Sequence, residues 1–119
     1  VIRLWHDDVR QPPDGDDWVW AKTNAEAMWY LAAGGIVEAS LDHDLGAIPT
    51  GDPQDVYLKG DAEETGLDLV RWMVENGRVP ATVRIHSWNP DGAMAMARTL
   101  DDAGYPVLID PYVAKEAPR

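Results

Sequence analysis

Ile36-Val37-Glu38-Ala39-Ser40-Leu41 followed by Asp42-His43-Asp44 decides how this chain is read. The first part reads as a β-strand, and it delivers an acid, an imidazole and a second acid at its C-terminal end. Two other segments have the same form. Trp5-His6-Asp7-Asp8 closes the run that begins at Val1, and His86-Ser87-Trp88-Asn89 follows the run Ala81 to Ile85. All 3 histidines of the chain therefore stand at the ends of apolar runs, beside acidic or hydroxyl residues. If these runs are parallel strands of one sheet, their far ends open into a single crevice.

The segments between them support a parallel sheet. After the first strand, Val1 to His6, the polar and Pro-rich stretch Asp7 to Asp17 has no helical periodicity, so a loop replaces a first helix. Trp18 to Ala21 reads as a second strand. Thr23-Asn24-Ala25-Glu26 has the spacing of a capping box, and Ala27, Met28, Leu31 and Ala32 form the apolar face of the helix it opens, which Gly34-Gly35 stops. Thr65 caps a second helix with a stripe of Leu69, Val70 and Met73, widened by Leu67, Trp72 and Val74, and Asn76-Gly77 ends it. Asn89 with Pro90 in the first turn opens a third helix through Met94, Ala97 and Leu100, ended by Gly104. Pro106 to Ile109 is the fifth strand, and the tail beyond Asp110-Pro111 is too short and Pro-interrupted for a closing helix. Strands alternating with helices predict an α/β fold, a single domain over residues 1–119 with a five-stranded, mainly parallel sheet. A Gly- and Pro-containing insertion over residues 46–63 is long for a compact domain and is expected to be either disordered or a lid over the crevice.

A length of 119 residues with 45% apolar content suits one domain with a modest core. The formal net charge of −11 repels nucleic-acid backbones, so long polyanions are poor partners, whereas cations, basic proteins or a small phosphate held through a metal are compatible. With Cys 0 there is no disulfide framework and no thiolate metal site. Neither a leader nor an apolar run of membrane-spanning length is evident, which makes a cytoplasmic location without membrane attachment the expectation. Of the 6 Trp residues, most fall in strand or helix patterns and are expected in the core.

Asp7, Asp8, Asp42 and Asp44 supply oxygen ligands at two strand ends, a set that suits a hard divalent cation such as Mg²⁺ or Mn²⁺; no organic cofactor is indicated. Neighbouring residues of a strand point to opposite faces, so both members of an Asp pair reach one site only where the chain bends. The alternative is that Asp7, Asp8 and Asp44 are loop residues that cap helices or face water. His43 and His86 are suited to proton transfer on either side of a phosphoryl group. Equally open are a buried His86 satisfied by backbone and a His43 that only supports Asp42; His6 has the weakest claim. Ser87 and Asn89 lie where a hydroxyl and helix N-terminal amides bind phosphate oxygens, although Asn89 can be only a cap. Arg10 can grip phosphate or pair with Asp14 or Asp17.

In this order the residues resemble the receiver superfamily of flavodoxin-like domains, which implies a receiver-like, flavodoxin-like fold; in that superfamily an acidic pair follows the first strand, an acceptor Asp ends the third, Ser or Thr ends the fourth and Lys-Pro ends the fifth. The matching positions are Asp7-Asp8, Asp42, Ser87 and Asp110-Pro111, so a carboxylate stands where a receiver has its lysine. The chain is more similar to cyclic-phosphate processing receiver domains over roughly residues 1–112. Asp7-Asp8-Val9-Arg10, Asp42-His43-Asp44-Leu45 and His86-Ser87-Trp88-Asn89-Pro90 carry that likeness, with His6 in place of the usual apolar residue.

The resemblance implies a metal-assisted phosphodiesterase that binds a small phosphate ester, such as a cyclic phosphate on a nucleotide or an RNA end, and hydrolyses it. Asp7, Asp8, Asp42 and Asp44 would then hold the cation, Asp42, His43 and His86 would serve catalysis, and Arg10, Ser87 and Asn89 would bind substrate. Two rival expectations stand beside it. One is a non-catalytic acidic module that engages a basic partner protein. The other is a degenerate phosphoacceptor receiver.

Overall fold

A computed structural model describes residues 2–13, 17–43, 65–87 and 89–110. Its elements are β1 (Ile2–His6), β2 (Trp18–Ala21), α1 (Asn24–Ala33), β3 (Ile36–Leu41), α2 (Gly66–Asn76), β4 (Thr82–Ile85), α3 (Pro90–Asp102) and β5 (Leu108–Ile109). Asp44, the 46–63 insertion and the tail after Asp110 lie outside the described residues, so the expectations placed on them are not addressed.

The strands form one 5-stranded sheet in the order β2-β1-β3-β4-β5, parallel at every pairing. This is the flavodoxin-like order, and its switch point lies between β1 and β3, from which the chain departs to opposite sides. No helix is present among the described residues between β1 and β2, as the missing periodicity of that stretch predicts.

Alternation along the strands sorts the sheet into two different faces. Leu4, Ala21, Ala39, Leu41, Val83 and Ile85 point to the helices and share one core with Leu31, Leu69, Met73, Met96 and Leu100. Each buried aliphatic chain there contributes about 1.5–3 kcal/mol. Helix α2 packs against both α1 and α3, so the three helices form a layer on this side. The other face is polar and aromatic. Arg3 pairs with Asp17 at 2.7 Å and lies over the Trp18 ring, Trp5 meets Trp18 edge-on, and Arg84 pairs with Glu38 at 3.4 Å.

The capping signals in the sequence form as expected. Thr23 Oγ1 accepts the Glu26 N–H, Thr65 and Asp68 complete a capping box, and Asn89 Oδ1 accepts the Gly92 N–H with Pro90 behind it. Several details differ. Ala32 is exposed, and Met94 is 51% exposed because the helical period of α3 buries Ala93, Met96, Ala97 and Leu100 instead. Strand β4 starts at Thr82, and β5 is only Leu108–Ile109, both exposed at the sheet edge. Among the described tryptophans only Trp5 is buried, and Trp29 is 68% exposed, so the core expectation fails for most of them. A period-matching position does not bury a ring when no layer covers its face.

Candidate functional site

Register and alternation together build the site. Trp5 pairs with Ser40 and Ser40 with Arg84, so one alternation further along each strand Asp7, Asp42 and His86 stand abreast on the same face. Backbone bonds continue the ladder past the strand ends: Asp7 N–H to Ala21, Asp42 N–H to His6, His86 N–H to Leu41 and Asp110 N–H to Ile85. Asp7, Asp42 and His86 are all buried, and one ligand atom of each lies within 4.8 Å of the others.

Asp7 is the best-tied member. Its Oδ1 accepts the Val9 and Arg10 backbone N–H groups at 2.9 and 2.8 Å, closing a tight turn, and its Oδ2 accepts from His86 Nε2 at 3.0 Å. Burial on its own would raise the Asp7 pKa. The hydrogen bonds from His86, Arg10 and Val9 outweigh it and hold the carboxyl below its ordinary value. A carboxylate can only accept, so His86 Nε2 carries the hydrogen and Nδ1 of the neutral ring accepts the Ser40 hydroxyl at 2.7 Å. Burial lowers the His86 pKa against the pull of Asp7. The ring is therefore neutral, enclosed and engaged at both nitrogens by side chains, not by backbone.

Asp42 faces the opposite pressure. Burial and the neighbouring Asp7 raise its pKa to about 7, although Arg10 and the His43 N–H oppose them. His43, next in the chain, is half-buried. The His43 carbonyl accepts the Gly66 N–H at 2.8 Å, and its ring lies over Gly92, where any Cβ would collide with it. Asn89 Nδ2 approaches His43 Nδ1 at 3.4 Å, so Asn89 both caps α3 and steadies this ring. Ser87 is fully buried, and its Oγ accepts the Asn89 N–H at 3.1 Å. Its hydroxyl is thus engaged in the turn that precedes α3.

Arg10 is drawn into the cluster and does not pair with Asp17. Its Nε lies 3.0 Å from Asp7 Oδ2, and the same guanidinium reaches Asp42 Oδ1 at 3.7 Å and the His86 carbonyl at 3.2 Å. Asp17 belongs to Arg3 instead, and Asp14 lies outside the described residues. Asp8 is half-buried next to the cluster, and its charge acts on Asp42. His6 points to the helix side, where Nδ1 accepts the Asp42 N–H at 3.3 Å and Nε2 donates to Asn24 Oδ1 at 2.9 Å. Asn24 in turn donates to the Thr65 carbonyl at 3.0 Å. Burial lowers the His6 pKa to about 4, so this ring is a neutral strut between β1, β3 and two helix starts.

The model of the cyclic-phosphate processing receiver domain matches residues 2–102. The chain belongs to this family. No curated protein matches the chain. As a cyclic-phosphate processing receiver domain, it carries its polar cluster at the switch point where this fold places ligands, with Asp110 at the end of β5 near enough to His86 to act on its charge. No helix among its described residues is long and apolar enough to cross a membrane.

The donor set of this receiver domain fits a hard divalent cation through Asp7 and Asp42, with the Asp8 charge alongside. His86 Nε2 belongs to the same cluster, but it ligates only in the tautomer that gives up its bond to Asp7. Sequence reading overlooked Ser40, Trp5 and Asn24 as supporting residues. Ser40 was detectable, since it precedes Asp42 by two positions and so shares its face. The Asn24 contact was not, because it depends on how α1 and α2 dock.

Proposed function

We propose that this domain binds a small cyclic phosphate ester of a nucleotide or an RNA end in the switch-point crevice and opens it by hydrolysis. The observation that carries this reading is the convergence of Asp7, Asp42 and His86 at the strand ends of a cyclic-phosphate processing receiver domain, with the half-buried His43 next to Asp42 in the chain. Asp7 and Asp42, with Asp8, would hold Mg²⁺ or Mn²⁺, which when bound supplies positive charge to a phosphate oxygen. Asp42 gives up its proton when such an ion arrives, as ligating carboxylates must. Hydrolysis forms one bond from a water oxygen to phosphorus and breaks one ring ester bond, and the leaving oxygen takes up a proton. His43, adjacent to Asp42, would move protons in that exchange. His86 serves by keeping Asp7 ionised and aimed, while Asn89 fixes His43 and Ser87 shapes the turn between β4 and α3.

Purified protein is assayed with Mg²⁺ or Mn²⁺ against cyclic mononucleotides, cyclic dinucleotides and cyclic-phosphate-ended RNA. Ring opening that His43→Ala lowers by about 10²-fold or more supports the proposal. Absence of both turnover and binding across the panel overturns it. An acidic module that binds a basic protein would instead keep its partner in a His43→Ala variant, and a phosphoacceptor receiver would be labelled by acetyl phosphate at Asp42. The carboxylate of Asp110 where a receiver has lysine weighs against the last of these.

A further inference from the structure

Arg10 occupies the centre of the acidic cluster, and its surroundings are specific. The guanidinium lies among the same Asp7 and Asp42 carboxylates that would take a divalent ion, with Nε at 3.0 Å from Asp7 and the terminal nitrogen at 3.7 Å from Asp42. Two cations cannot share these oxygens without strong repulsion at such separations. The backbone of the turn is also pinned. Trp5 Nε1 donates to the Arg10 carbonyl at 2.8 Å, Trp20 Nε1 donates to the Asp7 carbonyl, and Asp7 Oδ1 holds the Val9 and Arg10 N–H groups. Movement of the guanidinium is therefore rotation of a partly exposed side chain about a fixed Cα.

Resting on the reading of this crevice as a metal-assisted phosphate site, we infer that Arg10 is the site's built-in cation, which a divalent ion displaces and which then becomes the phosphate-binding arm. The contact to Asp42, at 3.7 Å, is longer than a hydrogen bond, whereas Asp7 and the His86 carbonyl lie 3.0 and 3.2 Å from the guanidinium. One guanidinium also faces Asp7 and Asp42 with the Asp8 charge close by, which leaves negative charge for a divalent ion to neutralise. Once turned out, the planar fork is suited to two phosphate oxygens. Metal therefore loads first and favours phosphate second, and without metal the arm is folded onto its own carboxylates.

The test uses Mn²⁺ and inorganic phosphate as probes, read by calorimetry and tryptophan fluorescence on the intact chain. Arg10→Gln is expected to bind Mn²⁺ about tenfold more tightly than the wild type, a difference of one decade in Kd. Saturating Mn²⁺ is expected to strengthen phosphate binding about tenfold more in the wild type than in Arg10→Gln, where only the metal's own charge acts on the phosphate; an equal gain in both proteins overturns the inference. Equal or weaker Mn²⁺ binding by Arg10→Gln overturns the inference, and so does the absence of Mn²⁺ binding by both proteins. Should the variant fail to fold, the ¹⁵N–¹H signal of Arg10 Nε in the wild type decides: displacement by Mg²⁺ shifts it and speeds its exchange with water, and an unchanged signal at saturating Mg²⁺ overturns the inference. Metal-for-arginine exchange without turnover of any cyclic phosphate removes the proposed reaction but leaves the exchange standing.

Discussion

Trp5 lies flat on His86, with ring centroids 4.0 Å apart and planes 2° from parallel. The two residues come from β1 and the end of β4, with β3 between them, and they meet because Ser40 on β3 is small and bonds to the imidazole instead of blocking it. One side chain therefore joins the aromatic face of the sheet to the carboxylate that holds the site together. His86 acts on Asp7 through this support, which is why its effects on stability and on the site are coupled.

Replacing His86 by Ala removes the stacking partner of Trp5 and leaves both Asp7 Oδ2 and the Ser40 hydroxyl short of a partner. The expected loss is about 2–4 kcal/mol, the range for opening a buried, hydrogen-bonded network. Urea denaturation measures it, and Trp5 emission should change in parallel. A variant as stable as the wild type would show that the network carries no weight.

Asp42 makes stability fall as pH rises. Its pKa lies above the ordinary value of 3.8, at about 7, so the folded chain keeps a proton that the unfolded chain has lost. The contribution is complete below pH 3.8 and disappears as pH passes through about 7, with up to about 4 kcal/mol at stake across that window. His6 acts in the opposite sense: its pKa is lowered from 6.5 to about 4, so its contribution is present above 6.5 and lost as pH falls toward 4. Asp42→Asn should therefore gain on the wild type progressively from acid to neutral pH, as read from denaturation midpoints at several pH values. A difference that does not change with pH would contradict the burial assigned to this carboxyl.

The His6–Asn24 bond is expected to show coupling. His6→Leu leaves the buried Asn24 carbonyl oxygen without its donor, at a cost of about 1–3 kcal/mol. Adding Asn24→Ala should then cost less than it does alone, since the orphaned acceptor is removed as well. A double-mutant cycle from chemical denaturation gives the interaction energy, and strict additivity would exclude it.

Gly92→Ala tests whether His43 needs its seat on α3. The new methyl would occupy the space of the His43 ring, so the ring must leave its contact with Asn89. Overpacking of this kind costs about 1–3 kcal/mol. Ring opening of a cyclic phosphate should fall more steeply than stability alone explains, measured at a temperature where the variant remains folded.

Much of the fold was legible because it is local. Caps at Thr23, Thr65 and Asn89, the helix stops and the apolar runs are set by side chains only a few residues apart, and all formed at or near their expected places. Legibility failed where burial depends on a missing layer. Trp18 and Trp20 follow a strand pattern, yet they remain half-exposed on the sheet face opposite the helices. Within the site, the sequence grouped Asp7, Asp42, His43 and His86 correctly as strand-end residues, but it could not assign their tasks. His86 and His43 carry the same imidazole, and only their surroundings differ.

The sequence by itself determined the order of strands and helices, the acidic and imidazole groups at strand ends, and a family likeness that the match over residues 2–102 makes firm. Tertiary structure alone decided which charges meet. Parallel register set Asp7, Asp42 and His86 abreast, and helix docking gave His6 to Asn24 and His43 to Gly92. The turn after β1 brought Arg10 onto the carboxylates and away from Asp17. Those outcomes depend on distances between residues far apart in the chain, which composition and periodicity do not encode, while caps and strands depend on neighbours that they do.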